Sequence, residues 1–67
     1  MKAEGCLKKS IYWQKHPTNN KYFYAYTDSE LILLRLNNFP DESLLTLIYK
    51  LDIIDIEDAP EYWTIPY

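Results

Sequence analysis

The residues of this chain whose types could do chemistry are few. They are one imidazole at His16, one thiol at Cys6, an acidic run of Asp52, Asp55, Glu57 and Asp58, and a row of phenols at Tyr22, Tyr24 and Tyr26. An imidazole serves as general base when a nucleophile and an orienting acid stand beside it. His16 instead precedes Pro17 in a polar stretch with no such trio, so an ordinary exposed ring is expected there. Cys6 has only lysines nearby, and a small buried hydrophobe is the expected role. The acidic run lacks the Asp-x-Asp-x-Asp-Gly order of a calcium loop and the glycine that makes its sharp turn. One cysteine with one histidine is too few for a structural zinc site. A single glycine, Gly5, leaves no room for a phosphate-cradling loop. No catalytic, cofactor-binding or metal-binding residue is therefore assigned, and an enzyme is not expected.

The tyrosine row is the remaining candidate. Strand alternation sends Tyr22, Tyr24 and Tyr26 to one face and Phe23 and Ala25 to the other. Three phenols in line are either half of a small core or a contact surface, because tyrosine joins a large apolar ring to a polar tip. Core packing is the expectation for at least some of the three. Aromatic strands beside Lys15 and Lys21 could also stack single-stranded bases, but a net charge of −3 works against phosphate binding and nucleic acid is disfavoured. The acids Asp55, Glu57 and Asp58 join the three tyrosines as the proposed partner-binding residues, an acidic patch facing a basic protein.

Charge is divided along the chain. Residues 1–21 carry five lysines against Glu4, while residues 41–67 carry seven acids against Lys50. The two ends are expected to lie close together and partly neutralise. No apolar run resembles a signal-peptide core or a membrane span, so a cytoplasmic protein without a membrane partner is expected.

These side chains need elements to hold them. At 67 residues the chain is one domain, 1–67, with a thin stability margin and no intrachain disulfide to help. Ser10 to Gln14 and Lys21 to Thr27 read as strands joined by the loop Lys15-His16-Pro17-Thr18-Asn19-Asn20, giving a hairpin over 10–27. Residues 30–36, Glu30-Leu31-Ile32-Leu33-Leu34-Arg35-Leu36, are apolar on both sides and should form a central strand. Residues 40–51 are ambiguous: Leu44, Leu45, Leu47, Ile48 and Leu51 have helical spacing after a good first turn at Pro40-Asp41-Glu42, yet Leu44 to Tyr49 is also a buried strand's length.

Phe39-Pro40-Asp41-Glu42, Leu44, Thr46-Leu47-Ile48 and the run Asp55-Ile56-Glu57-Asp58-Ala59-Pro60-Glu61-Tyr62-Trp63 resemble the C-terminal half of small uncharacterised bacterial proteins. In those proteins this stretch reads as two strands joined by a tight turn. The resemblance covers less than half of the chain, brings no function, and departs at Lys50-Leu51, where an Asp-Gly turn would stand. It favours strands near 43–49 and 53–57 with a helical turn from Pro60 to Trp63. The expected fold is thus mainly β: one small antiparallel sheet of four to five strands with a short C-terminal helical turn. The alternative is α+β, with a helix at 40–51 packed on the sheet. The expected function is a non-enzymatic protein-binding module, of the kind a small bacterial or phage inhibitor or immunity-like protein provides, binding a protein partner or a second copy as a homodimer. The alternative is a single-stranded nucleic-acid binder using the aromatic strand face.

Overall fold

Period-two alternation governs most of the chain, and the computed structural model realises it as strands. Residues 3–67 are described, so the parts of the leader and charge expectations that rest on Met1 and Lys2 lie outside the described residues. The elements are α1 (Ala3–Cys6), β1 (Ile11–Tyr12), β2 (Gln14–Lys15), β3 (Tyr22–Thr27), β4 (Glu30–Leu36), β5 (Leu45–Tyr49), β6 (Asp52–Ile56) and β7 (Trp63–Thr64). Strands β2 to β6 form an antiparallel sheet in sequence order. Strand β4 occupies the middle, as a segment apolar on both sides should. The sheet is open, with β2 and β6 as its edges, and the mainly β expectation is met.

Residues 40–51 do not form the alternative helix. Leu45, Leu47 and Tyr49 are buried at alternate positions, while Thr46 and Ile48 face the other way. A helix would have put Leu51 on the same apolar stripe as Leu44, Leu47 and Ile48, yet Leu51 is 97% exposed at the tip of the β5–β6 turn. Two ladders decide the matter, because β5 lies between β4 and β6 and both neighbours bond to it. Sheet context overrides the local pattern.

The expected strand over Ser10 to Gln14 is divided. Strand β1 pairs in parallel with β7, whereas β2 pairs antiparallel with β3. Trp13 stands between them, buried, with its backbone N–H donating to Thr64 O at 2.9 Å. The chain leaves one sheet and joins the other at this residue because the indole must be buried under the larger sheet. The helical turn expected from Pro60 to Trp63 is a single tight turn, closed by Trp63 N–H on Pro60 O at 3.1 Å, before β7 begins. The helical turn of the described residues is α1, at the other end of the chain.

The β3–β4 and β5–β6 hairpins turn in two residues. Thr27 pairs with Glu30 across Asp28 and Ser29, whose φ angles are 51° and 64°, the left-handed pair that a type I′ turn requires. Tyr49 pairs with Asp52 across Lys50 and Leu51, with Lys50 at φ 54°. The expected Asp-Gly is replaced by a residue forced into the left-handed region, and the tight turn survives.

One face of the sheet holds the core. Phe23, Ala25, Ile32, Leu34, Leu45, Leu47, Tyr49 and Ile56 lie on it, covered by Ala3 and Cys6 of α1 and by Ile11, Trp13 and Trp63. Trp13 and Trp63 meet edge to face at 5.1 Å between ring centroids. Trp63 Nε1 donates to Cys6 O at 2.9 Å, which ties the two ends of the chain together under the sheet. Fully burying an aliphatic or aromatic side chain contributes about 1.5–3 kcal/mol, so this cluster is the main source of stability in a chain without disulfides.

Candidate functional site

The pairing register places every outward side chain of the sheet. Across β3, β4, β5 and β6 the residues Tyr22, Arg35, Thr46 and Asp55 stand opposite one another. Two residues along, Tyr24, Leu33, Ile48 and Ile53 form a second row, and Tyr26 stands opposite Leu31 beyond it. This face is turned away from the core, and no element of the described residues lies over it: Tyr26 is 68% exposed, Ile53 67% and Leu31 49%. The neighbouring Tyr22, Tyr24, Leu33 and Ile48 are half-buried.

All three tyrosines belong to this outer face. The core expectation for the row is therefore corrected: Phe23 and Ala25 are the buried residues of β3, since the two-residue turn at Asp28-Ser29 aligns them with Leu34 and Ile32. Tyr24 and Tyr26 contact each other edge to face at 6.3 Å.

The first row is polar and internally bonded. Arg35 Nη1 donates to Asn37 Oδ1 at 3.0 Å, Asn37 Nδ2 donates to Thr46 Oγ1 at 2.7 Å, and Thr46 Oγ1 donates to Asp55 Oδ1 at 3.1 Å. One cation and one carboxylate are thus fixed on the face, two strands apart. Asp55 shares this row with Tyr22, about 14 Å away across three strand spacings. Glu57 follows β6 and accepts from Ser43 Oγ at 2.8 Å. Asp58 is exposed in the succeeding loop. The three proposed acids thus fall on one outward strand position and on two loop positions beyond its end.

Four apolar residues of the face were not singled out as partner-binding in the sequence: Leu31, Leu33, Ile48 and Ile53. The signal that finds them is register. Once Asp28-Ser29 is a two-residue turn, Tyr26 must oppose Leu31 and Tyr24 must oppose Leu33.

A second cluster of titratable groups sits beside the β3–β4 and β5–β6 turns. Tyr49 O–H donates to Glu30 Oε2 at 2.5 Å, and Lys50 Nζ lies 3.2 Å from the same oxygen. The hydrogen bond from Tyr49, then the one from Lys50, holds the Glu30 carboxyl below the usual glutamate range. The same bond, reinforced by burial, pushes the Tyr49 phenol up to about 12. Lys9 pairs with Asp28 at 2.6 Å. Burial pushes the Cys6 thiol up, which keeps it protonated and weakly nucleophilic. Tyr49 and Cys6 are both buried, so these groups hold the turns in place and present little to a substrate.

The charged ends meet through the backbone. Strands β1 and β7 pair, but the ion pairs join Lys9 to Asp28 and Lys50 to Glu30. Among the described residues no ion pair links an N-terminal lysine to a C-terminal acid. His16 is half-buried, and its Nδ1 accepts from the N–H groups of Thr18 and Asn19 at 3.2 and 3.1 Å. The ring closes its own loop, with its proton on Nε2. Among the described residues no three His, Cys, Asp or Glu side chains are grouped to hold a metal ion, and no helix is long and apolar enough to cross a membrane. Comparison with protein-family models, with curated proteins and with solved structures finds no match.

Proposed function

We propose that this chain is a non-enzymatic protein-binding module that engages its partner through the outer face of the five-stranded sheet. One observation carries the reading: Tyr24, Leu33, Ile48 and Ile53 make a continuous apolar row across four strands on a face that nothing in the described chain covers. An antiparallel sheet can present one face to water, but the outward positions are then polar. Here the row's outward positions are aliphatic or aromatic, and contiguous exposed apolar surface of this kind marks an interaction site. Tyrosine suits the role because it adds contact area at low entropic cost and keeps a polar tip. The face carries a single cation, Arg35, already bonded to Asn37, which is a poor electrostatic match to a phosphate backbone. An inhibitor or immunity-like protein is a concrete form of this function.

The test uses Ile53→Lys, a change at an exposed edge-strand position that leaves the core untouched. Wild-type chain immobilised at its C-terminus is expected to retain a protein that Ile53→Lys and Leu31→Lys variants of equal thermal stability do not. Equal retention by the wild type and both variants removes the face from consideration. Oligonucleotide binding that weakens with salt, with no protein retained, would replace this reading by the nucleic-acid one.

A further inference from the structure

We infer that the occupant of the outer face is a second copy of this chain, stacked sheet on sheet about a two-fold axis that runs along the strands between β4 and β5. The inference rests on the protein-binding reading of that face and names its partner.

The register supplies the argument. A two-fold over the β4–β5 pair sets β3 against β6 of the second copy and β4 against its β5, so all four strands of the two rows are covered. In the apolar row, Tyr24 then meets Ile53 of the second copy and Leu33 meets Ile48, each contact occurring twice. In the polar row, Tyr22 meets Asp55 of the second copy, a phenol donor against a carboxylate, and Arg35 meets Thr46 with that same Asp55 beside it. The face is complementary to itself, as an isologous interface must be.

Charge supports a copy over a basic partner. The chain has a net charge of −3, but the two rows hold one cation and one anion and are neutral. The remaining acids lie in α1, in the loops, at the turns or on the β6 edge, so two copies can meet without setting their excess charge face to face. A β-sandwich of this kind keeps its strand directions within about 30° and interdigitates side chains across about 10 Å. Two rows across four strands and the Tyr26–Leu31 pair present about 330 Å² in projection on each copy, from strand and residue spacings. Twice that area falls short of the roughly 1,000 Å² that a stable interface clears, so the dimer is weak and transient, with a dissociation constant in the micromolar range or weaker.

Sedimentation velocity from about 1 µM to 1 mM is expected to show a reversible monomer–dimer equilibrium, with the constant that the area implies. Ile48→Lys should shift it to monomer, and Ile53→Lys, at an exposed edge position, does the same if Ile48→Lys fails to fold. Asp55→Arg should weaken the dimer at least about tenfold, and the exchange Arg35→Asp with Asp55→Arg should recover most of it, since the neighbouring charges of residue 35 and of residue 55 in the second copy are then opposite again. In a mixture of isotope-labelled and unlabelled chain, intermolecular NOEs between Ile48 and Leu33 methyls are expected. A chain monomeric at every concentration overturns the inference, as does a dimer that neither lysine variant weakens, which would place pairing at the β2 or β6 edge. Monomeric chain leaves the protein-binding reading to be decided by the Ile53→Lys retention experiment, so the two ideas fail separately.

Discussion

Glu30 and Tyr49 show how one hydrogen bond makes stability depend on pH. Glu30 is held below the usual glutamate range by the Tyr49 O–H first and by Lys50 second. Its contribution is therefore complete above the ordinary value of about 4.3 and is lost as pH falls through that value toward the lower folded one. Tyr49 runs in the opposite sense. With its phenol raised to about 12, stability is complete below the ordinary value of about 10 and is lost between about 10 and about 12. Urea midpoints across pH should fall at both extremes, and Glu30→Gln should flatten both limbs; unchanged slopes in the variant would show that the bond does not couple to folding. The two tryptophans differ in a related way. Trp63 Nε1 bonds to Cys6 O, whereas Trp13 Nε1 is buried without a hydrogen-bond partner among the described residues. A made hydrogen bond contributes about 1 kcal/mol and a buried unpaired donor costs about 1–3 kcal/mol. Trp63→Phe should consequently destabilise more than Trp13→Phe by about 1–3 kcal/mol in urea titrations, although the two indoles bury similar surface. A buried indole needs an acceptor wherever it stands, and only the fold decides which of the two finds one.

At the scale of elements, the hairpins are the part of the fold where local sequence and geometry disagree. A type I′ turn asks for a left-handed φ at both central positions, and Asp-Gly meets that need with little strain. This chain uses Asp28-Ser29, and serine at φ 64° carries a steric penalty that aspartate largely escapes. Ser29→Gly is expected to stabilise the protein by about 0.5–1 kcal/mol, relief of the left-handed strain exceeding the added freedom of the unfolded chain. A melting temperature that falls in the variant would show that the turn is not strained at Ser29. The pattern of β3 and β4 gave their strand character and the central place of β4, because alternation and two-sided apolarity are local properties. The fate of residues 43–49 was beyond that pattern, since a run of leucines satisfies a helix stripe and a buried strand alike. The splitting of residues 10–14 was also hidden, because Ser10 to Gln14 reads as one strand until β7 appears about fifty residues later to claim its first half.

For the whole molecule, the decisive feature is that the described residues cover one face of the sheet and not the other. The inner face is closed by α1, β1 and β7, with Trp63 joining the C-terminal segment to Cys6 and Tyr67 meeting Phe23 at 6.2 Å. Truncation after Tyr62 removes β7, Trp63 and the parallel pairing with β1. The shortened chain is expected to lose its dispersed amide spectrum and to bind a hydrophobic dye, because a 67-residue domain has a margin too thin to expose that core. A native-like spectrum from the truncated chain would show that the five strands suffice alone. The outer face follows the opposite logic, being intact without cover yet apolar enough to seek it. The sequence by itself determined that the chain would be a small β domain with a central two-sided strand, since composition and period-two alternation are properties of neighbouring residues. It also determined that the three tyrosines share one face. Only the tertiary structure decided which face that was. The choice depends on the hairpin register and on where the two tryptophans and α1 come to rest, and the contacts of Trp63 with Trp13 and Cys6 join residues fifty or more positions apart.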